Sequence, residues 1–423
     1  MKTLIINTYD GDGGAARSAY RLHKGLQSIG INSQMLVQYK KSDDQSVISL
    51  YKRFSMIFSK IRAHIDRLPL KVYPNRKKFM WGLAWLPVTF KAIVGHLKPE
   101  ILHLHWISAG FVNVKYLAQI KQPIIWTLHD SWAFTGGCHI PFECKSYQNS
   151  CGKCPQLGSN INIDISNWVW RRKAKYWKNI NLTVVTPSKW LADCARASSL
   201  FRNMRIEVIP NGLDLKIYKP VEKSIARNIL NLPQDKKLIL FGAMSSTSDL
   251  NKGFYYLQEA LQYLVQQGMN ESIEVVVFGN SSKEVEPQIG FKTYYLGNFN
   301  DDYTLALLYS AADVFVAPSI QENLSNTVME SLACGTPCVA FNIGGMPDMI
   351  NHQENGYLAR AFEADDLEEG ISWVLADNER LNRLSKKARE KAEREYNIED
   401  IARRYSKLYN ELSDNTKKQN GER

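Results

Sequence analysis

The chain has 423 residues, 44% of them hydrophobic and 22% charged. It can therefore bury a sizeable core, and at about 100–200 residues per domain it should form two or three domains, which excludes a small disulfide scaffold or a disordered chain. Lys plus Arg is 53 against 42 for Asp plus Glu, a net charge of +11; this favours an anionic partner and leaves phosphorylated metabolites, anionic lipid and nucleic acid open.

A single Lys precedes a short apolar run that stops at Asn7, too short for a secretory signal, so the expected location is cytoplasmic. No stretch approaches the ~18–20 apolar residues of a membrane span; the best, Met80 to Phe90, is broken by Pro87 and followed by Lys91. Short β-branched runs alternate with segments of helical period. Strands are predicted at Thr3–Asn7, Ser33–Val37, Ile101–His105, Pro123–Leu128, Leu182–Thr186 and Arg205–Ile209, then at Leu238–Phe241, Ile273–Phe278, Thr293–Leu296, Val314–Ala317 and Pro337–Phe341. Predicted helices between them include Ala15–Ile29, Ser188–Arg196, Gly253–Gln267, Tyr303–Ala311 and Asn326–Ala333. This alternation argues α/β architecture, two doubly wound domains in series with a ligand crevice between them.

The boundary falls at Pro210-Asn211-Gly212, where a strand meets a turn. The expected domains are 1–210, with a Cys-rich insertion at 136–158, and 211–395; a helix at 396–413 is expected to pack back on the first domain, ahead of a disordered tail at 414–423. Seven cysteines is an odd count, and Cys138, Cys144, Cys151 and Cys154 lie within seventeen residues. Their spacing suits a structural tetrahedral zinc that would tie down an irregular loop; the alternative is free thiols in a Gly-rich segment.

From Tyr51 to Met80 there are nine Lys or Arg (Lys52, Arg53, Lys60, Arg62, Arg67, Lys71, Arg76, Lys77, Lys78) against one acid, Asp66. Phe54, Ile57, Phe58, Ile61, Ile65 and Leu68 recur at helical spacing among them, which makes either an interfacial helix on anionic lipid or a helix packed on its own domain. Arg171, Arg172, Lys173, Lys175 and Lys178 with Trp168, Trp170 and Trp177 form a second basic, aromatic stretch. The expected placement is accordingly cytoplasmic or peripheral at the inner membrane face. No nucleic-acid motif accompanies the charge, so a nucleic-acid partner is not expected.

The most informative run is Val314 to Ile350. A strand ends at Pro318, a loop carries Glu322, and a helix opening near Ser325 carries Glu330. In a parallel sheet this loop sits at the carboxyl edge, where the N–H groups of Asn323, Leu324, Ser325 and Asn326 would meet a phosphate and the carboxylates would accept sugar hydroxyls. A Glu near a helix start also simply complements the helix dipole. With Gly13-Gly14 opening the first helix, Thr127-Leu128-His129-Asp130 after a strand, Thr186-Pro187-Ser188, Pro210-Asn211-Gly212 and Lys252-Gly253, these residues resemble the retaining glycosyltransferases of family 4, with the GT-B fold of two Rossmann-like domains facing across a cleft.

The resemblance implies a sugar transfer from a nucleotide-sugar donor to a glycan or lipid-linked glycan acceptor, of the type that assembles cell-surface polysaccharides. Glu322 would bind donor-sugar hydroxyls, Glu330 the ribose, Lys252 the leaving diphosphate and His129 the sugar, while the Gly13-Gly14 loop would approach the phosphates. Arg17 would face either the cleft or solvent, and one of His103 and His105 would reach the acceptor or pack with Trp106. No cofactor is implied for the chemistry. One departure is that the Arg usual after the Gly of the preceding strand is replaced, in Gly242-Ala243-Met244, by Ala243; Ser245, Ser246, Thr247 or another basic residue would compensate. The base would be read by Gly297–Asn300. A sugar-nucleotide epimerase or phosphorylase of the same fold is the alternative enzyme, and a basic nucleic-acid binder the alternative non-enzyme.

Overall fold

The structure, a computed structural model, describes residues 1–50, 56–87, 91–242, 249–279, 290–299 and 301–419. The expectations placed on Lys52, Arg53 and Phe54, on Ala243 to Thr247, on Asn300 and on the last four residues lie outside the described residues. The chain divides into two compact units: Met1–Pro210 with Glu399–Arg423, and Asn211–Ile398.

The amino-terminal unit runs β1 (Lys2–Tyr9), α1 (Gly14–Ser28), β2 (Asn32–Tyr39), β3 (Val47–Ser49), α2 (Met56–Arg67), α3 (Lys91–Leu97), β4 (Ile101–Leu104), α4 (Val114–Leu117), β5 (Ile124–Thr127), α5 (Ile165–Trp177), β6 (Leu182–Thr186), α6 (Lys189–Ala197) and β7 (Arg205–Val208). Its strands form a sheet in the order β3-β2-β1-β4-β5-β6-β7, every pair parallel. Alternate residues of β1 enter opposite cores: Leu4 and Ile6 pack with Leu102, Leu104 and Trp126, whereas Ile5 packs with Leu22, Leu26 and Val185. Both faces are thus covered, which is why the strands read as unbroken apolar runs.

The carboxyl-terminal unit runs α7 (Lys223–Ile229), β8 (Lys237–Gly242), α8 (Phe254–Gln266), β9 (Ile273–Phe278), β10 (Thr293–Tyr295), α9 (Asp302–Ala311), β11 (Val314–Ala317), α10 (Asn326–Ala333), β12 (Cys338–Phe341), α11 (Met346–Met349), β13 (Gly356–Ala359), α12 (Ala364–Leu375) and α13 (Asn378–Glu395). Its sheet order is β10-β9-β8-β11-β12-β13, again parallel throughout. In both sheets the order reverses beside the first strand, at β1/β4 and at β8/β11. Such a reversal leaves a crevice at the carboxyl edge where ligands bind in open α/β sheets.

The last helix, α14 (Ile398–Gln419), returns to the first unit, where Ile401, Ala402, Tyr405, Leu408, Tyr409 and Leu412 join the core beside Ile5 and Ile101. It continues through the segment from Asp414 to Gln419, which the sequence places in a disordered tail. Spacing of apolar residues stops at Leu412, but the helix needs only its own backbone hydrogen bonds to run on.

Candidate functional site

In the carboxyl-terminal unit the residues after β8 and after β11 meet at the sheet reversal. Asp249 caps a short turn, Leu250–Lys252, by accepting from the Asn251 amide. Lys252 Nζ lies 2.8 Å from Glu322 Oε2, and Ser319 Oγ approaches the same oxygen at 3.5 Å. Burial alone would lower the Lys252 ammonium, but the Glu322 carboxylate beside it overrides that and holds it above its ordinary value. Lys252 and Glu322 are thus brought together, a cation and a hydroxyl acceptor on one loop edge.

The Glu322 loop is gripped by residues that the sequence did not single out. Asn251 Nδ2 donates to Gln321 O at 2.9 Å, the Gln321 amide returns a bond to Asn251 Oδ1 at 3.2 Å, and the Ile320 amide bonds Asn251 O at 2.9 Å. A side-chain amide that both donates and accepts reproduces a strand pairing between two loops, and no spacing rule marks such an Asn. On the other side the Gly345 amide donates to Glu322 O at 3.0 Å. Gly344 has φ +52°, and a Cβ there would stand 2.1 Å from Glu322 O.

Gly253, following Lys252, has φ +66°, and a Cβ there would lie 1.9 Å from Pro318 O. Gly253→Ala should therefore destabilise the carboxyl-terminal unit by about 2–4 kcal/mol, through left-handed strain and a clash with a backbone carbonyl that cannot retreat. A thermal melt should show that unit's midpoint falling by roughly 5–10 °C; an unchanged midpoint would mean that the turn is free to rearrange.

Helix α10 opens under this loop. Ser325 is its N-cap, with its hydroxyl facing the Val328 amide and bonding Thr327 Oγ1 at 2.9 Å. Leu324 and Ser325 are buried, and Asn326 Oδ1 accepts from Asn211 Nδ2 at 3.3 Å. Asn323 begins the segment beside Glu322. Glu330 is also buried, and Tyr309 donates its hydroxyl to Oε2 at 2.9 Å. Glu330 therefore stands on the inner side of α10, with one of its oxygens engaged by the core tyrosine.

In the amino-terminal unit Gly13 is the N-cap of α1 and Gly14 its first residue, placed where β1 leaves the sheet reversal. Arg17 is half-buried one turn on. His129 and Asp130 follow β5. His129 Nε2 and His105 Nδ1 are 2.9 Å apart, and burial lowers His129 to about 4 and His105 well below its ordinary value, so both are neutral near pH 7. His103 points to the same side of β4 but is held by the tyrosines of α14 and by the strand beside it: Nδ1 meets Tyr409 OH at 2.6 Å and Nε2 meets Thr127 Oγ1 at 2.8 Å. Of the two histidines, it is His105, just after β4, that reaches His129, while His103 is internal.

Asp130 accepts from Trp106 Nε1 at 2.9 Å, from the Trp132 amide at 2.8 Å and from His139 Nδ1 at 2.7 Å. Burial would raise its carboxyl, but His139 and these donors hold it below the usual range. His139 belongs to the Cys-rich segment, which the sequence read for its thiols rather than for this imidazole. His105, Trp106, Ser108, His129 and Asp130 line a small pocket at this edge.

The four cysteines expected to hold a zinc, Cys138, Cys144, Cys151 and Cys154, form no disulfide and lie close enough that the other three bear on the Cys138 thiol. Among the described residues no three His, Cys, Asp or Glu side chains are placed to hold a metal ion. Cys138 and Cys154 pack with Trp81, Leu83, Leu157 and Val169, and burial pushes Cys151 up to about 12. In the second basic stretch Arg171, Lys175 and Lys178 are exposed, and one residue departs from that solvated face. Lys173 is fully buried, its Nζ donating to Trp132 O and to Thr135 O at 3.0 Å and lying 3.8 Å above the Trp132 ring. It holds the turn after Asp130 from within.

Two parallel Rossmann-like units, each with chemistry-bearing loops at its sheet reversal, define the GT-B class. A model for glycosyltransferase family 4 matches residues 12–217, and one for glycosyl transferases group 1 matches residues 222–391. The chain belongs to the glycosyltransferases built from these two domains. It is 23% identical over 361 residues, 80% of this chain and 83% of the other, to a putative colanic acid biosynthesis glycosyl transferase of Escherichia coli K12. It is 26% identical over 218 residues, 49% of this chain and 54% of the other, to an Escherichia coli UDP-Gal:alpha-D-GlcNAc-diphosphoundecaprenol alpha-1,3-galactosyltransferase. Among solved structures, the sucrose-phosphate synthase of Thermosynechococcus elongatus shares the fold with a TM-score of 0.70 at 20% identity, covering 97% of this chain and 99% of that one.

Proposed function

We propose that this glycosyltransferase is a retaining hexosyltransferase, which moves a sugar from a nucleotide-sugar donor to a glycan or lipid-linked glycan during polysaccharide assembly. The observation that carries the reading is the Lys252–Glu322 pair, 2.8 Å apart at the carboxyl edge of β8 and β11 and beside the opening of α10. A diphosphate held on the amides of Asn323, Leu324 and Ser325 would bring its negative charge toward Lys252, and Glu322 would accept hydroxyls of the attached sugar. Glu330 would take the ribose, and the Gly13-Gly14 turn would allow close approach to the phosphates.

As the glycosidic bond lengthens, charge collects on the leaving diphosphate, and Lys252 stabilises that charge more than it does the ground state. The incoming hydroxyl gives its proton to the departing phosphate oxygen on the same face, which retains the anomeric configuration without a protein nucleophile. His129, neutral near pH 7, would hydrogen-bond the sugar rather than act as a cation. The relative that names a UDP-sugar and a polyprenyl diphosphate acceptor supports a donor and acceptor of these classes.

The test is a panel of UDP-, GDP-, ADP- and dTDP-sugars with a lipid-linked glycan acceptor, reading the anomeric coupling of the product by NMR. Transfer with retention is expected from one donor, and Glu322→Gln with Glu330→Gln should abolish it. An inverted product, or full activity in the double variant, would overturn the reading.

A further inference from the structure

Helix α2 is inside out for a helix packed on its own domain. Ser59 and Asp66 are turned inward, Asp66 with only 1% of its surface exposed, and Arg62 directs its guanidinium to Gly110 O at 3.2 and 2.8 Å. Asp66 Oδ2 accepts from the Leu83 amide at 3.1 Å, and Gln38 Nε2 donates to Ser59 O at 3.4 Å. The apolar side chains face the other way. Ile57, Phe58, Ile61 and Ile65 are exposed on successive turns, Ile57 at 70%, and Leu68 and Val72, the latter at 72%, continue the face beyond the helix. Trp85 is exposed beside them, its indole N–H bonded to Asp66 O at 3.1 Å.

Single exposed apolar residues are ordinary, but a helix that buries a Ser and an Asp while its apolar side chains stand exposed on successive turns marks a docking surface. Lys60 and Arg67 on the helix and Lys71 just beyond it are exposed along with these side chains, as are Lys77 and Lys78 further along the chain. The one acid of the segment is the buried Asp66, so the surface presents cations and hydrocarbon together. A second copy of the chain placed face to face here would bring like charges together, and a polyanion such as nucleic acid would leave Ile57, Phe58 and Val72 in water. An anionic bilayer satisfies both halves: headgroups for the lysines, acyl chains for the isoleucines and phenylalanine, and the interfacial depth for Trp85.

We propose that the exposed face of Ile57 to Val72 docks this enzyme on an anionic lipid surface. Among the described residues no helix is long and apolar enough to cross a membrane, so this contact would lie in the interface plane. Its position has a consequence that rests on the proposed function. Arg62 and Gln38 tie α2 to Ala109 and Gly110, in the loop that begins at His105 and Trp106, so the helix that carries the docked face stands against the loop at the carboxyl edge of β4, where a lipid-linked acceptor would be received.

The docking is tested without donor or acceptor, and so independently of the transfer reaction. The full-length protein is floated with vesicles of phosphatidylcholine alone or of three parts phosphatidylcholine to one part phosphatidylglycerol, at low and high salt. It should float with the anionic vesicles at low salt and not with phosphatidylcholine alone. Ile57→Ser with Phe58→Ser and Ile61→Ser, and separately Lys60→Glu with Lys71→Glu, should each lower the partition coefficient by about ten-fold or more. The charge-reversed variant touches no packing, so it decides the matter should the serine variant melt early. Failure to float with anionic vesicles overturns the proposal. So would wild-type flotation by both variants, or a dimer in solution that the serine variant converts to monomer.

Discussion

Lys252→Met should lower kcat by about 10²–10³-fold while changing the KM for the nucleotide-sugar only a few-fold, the pattern of an interaction made chiefly in the transition state. The Nζ atom sits 2.8 Å from Glu322, so its charge is already oriented before a donor arrives and costs no reorganisation during bond cleavage. The pair is partly exposed, 29% at Lys252 and 17% at Glu322, and breaking such a pair costs folding stability only about 1 kcal/mol or less. A kinetic loss with a nearly unchanged melt is therefore the expected combination. Because the two side chains hold each other, Lys252→Met with Glu322→Gln should be far less damaging than the product of the two single losses. Strict multiplication of the effects would mean that the residues act separately, and an unchanged kcat in Lys252→Met would remove Lys252 from the chemistry.

The strand skeleton was legible because both faces of each sheet are buried, so that β6, β9 and β11 stand out as apolar runs with the bounds the sequence predicts. The strands that escaped are at sheet edges. Val47–Ser49 has only three residues, and Gly356–Ala359 opens on a glycine; both owe their conformation to pairing with β2 and β12 rather than to any local pattern. Glu322 and Lys252 were visible as chemical types at a strand end and a helix start. Asn251, which fastens the Glu322 loop through two backbone groups, was not, since its partners are seventy residues away. Lys173 shows the opposite failure. Its neighbours Arg171, Arg172 and Lys175 make it look solvated, yet one helix turn separates a surface position from the interior, and its ammonium is used on two carbonyls of the Asp130 turn. Helical period alone set out the two readings of α2; only burial of Ser59 and Asp66 showed which side faces outward.

Acidification should unfold the amino-terminal unit well before the carboxyl-terminal one. Burial lowers His23 to about 4, His103 to about 3 and His129 to about 4, and drives His105 well below its ordinary value, and all four lie in the amino-terminal unit. Their folded values are below the unfolded value near 6.5, so the unfolded chain takes up protons first as pH falls. Their stabilisation is complete above about pH 6.5 and is lost progressively down to about pH 4, each group contributing about 1.4 kcal/mol per pH unit within that window. At pH 5.5 the four together remove roughly 4–6 kcal/mol, comparable to the whole stability of many domains at about 5–15 kcal/mol. The carboxyl-terminal unit has one histidine, the exposed His352, and its lowered carboxylates, Asp301, Asp366 and Asp377, respond only as pH falls below about 4. Scanning calorimetry from pH 7.5 to 5.5 should therefore resolve a transition that moves steeply from one that hardly moves. His23 lies away from the candidate site, bonded at 2.8 Å to both Ser33 and Ser46. His23→Gln should weaken the pH dependence of the mobile transition by about a quarter, one proton in four; an undiminished slope in that variant would show that the acid lability arises elsewhere.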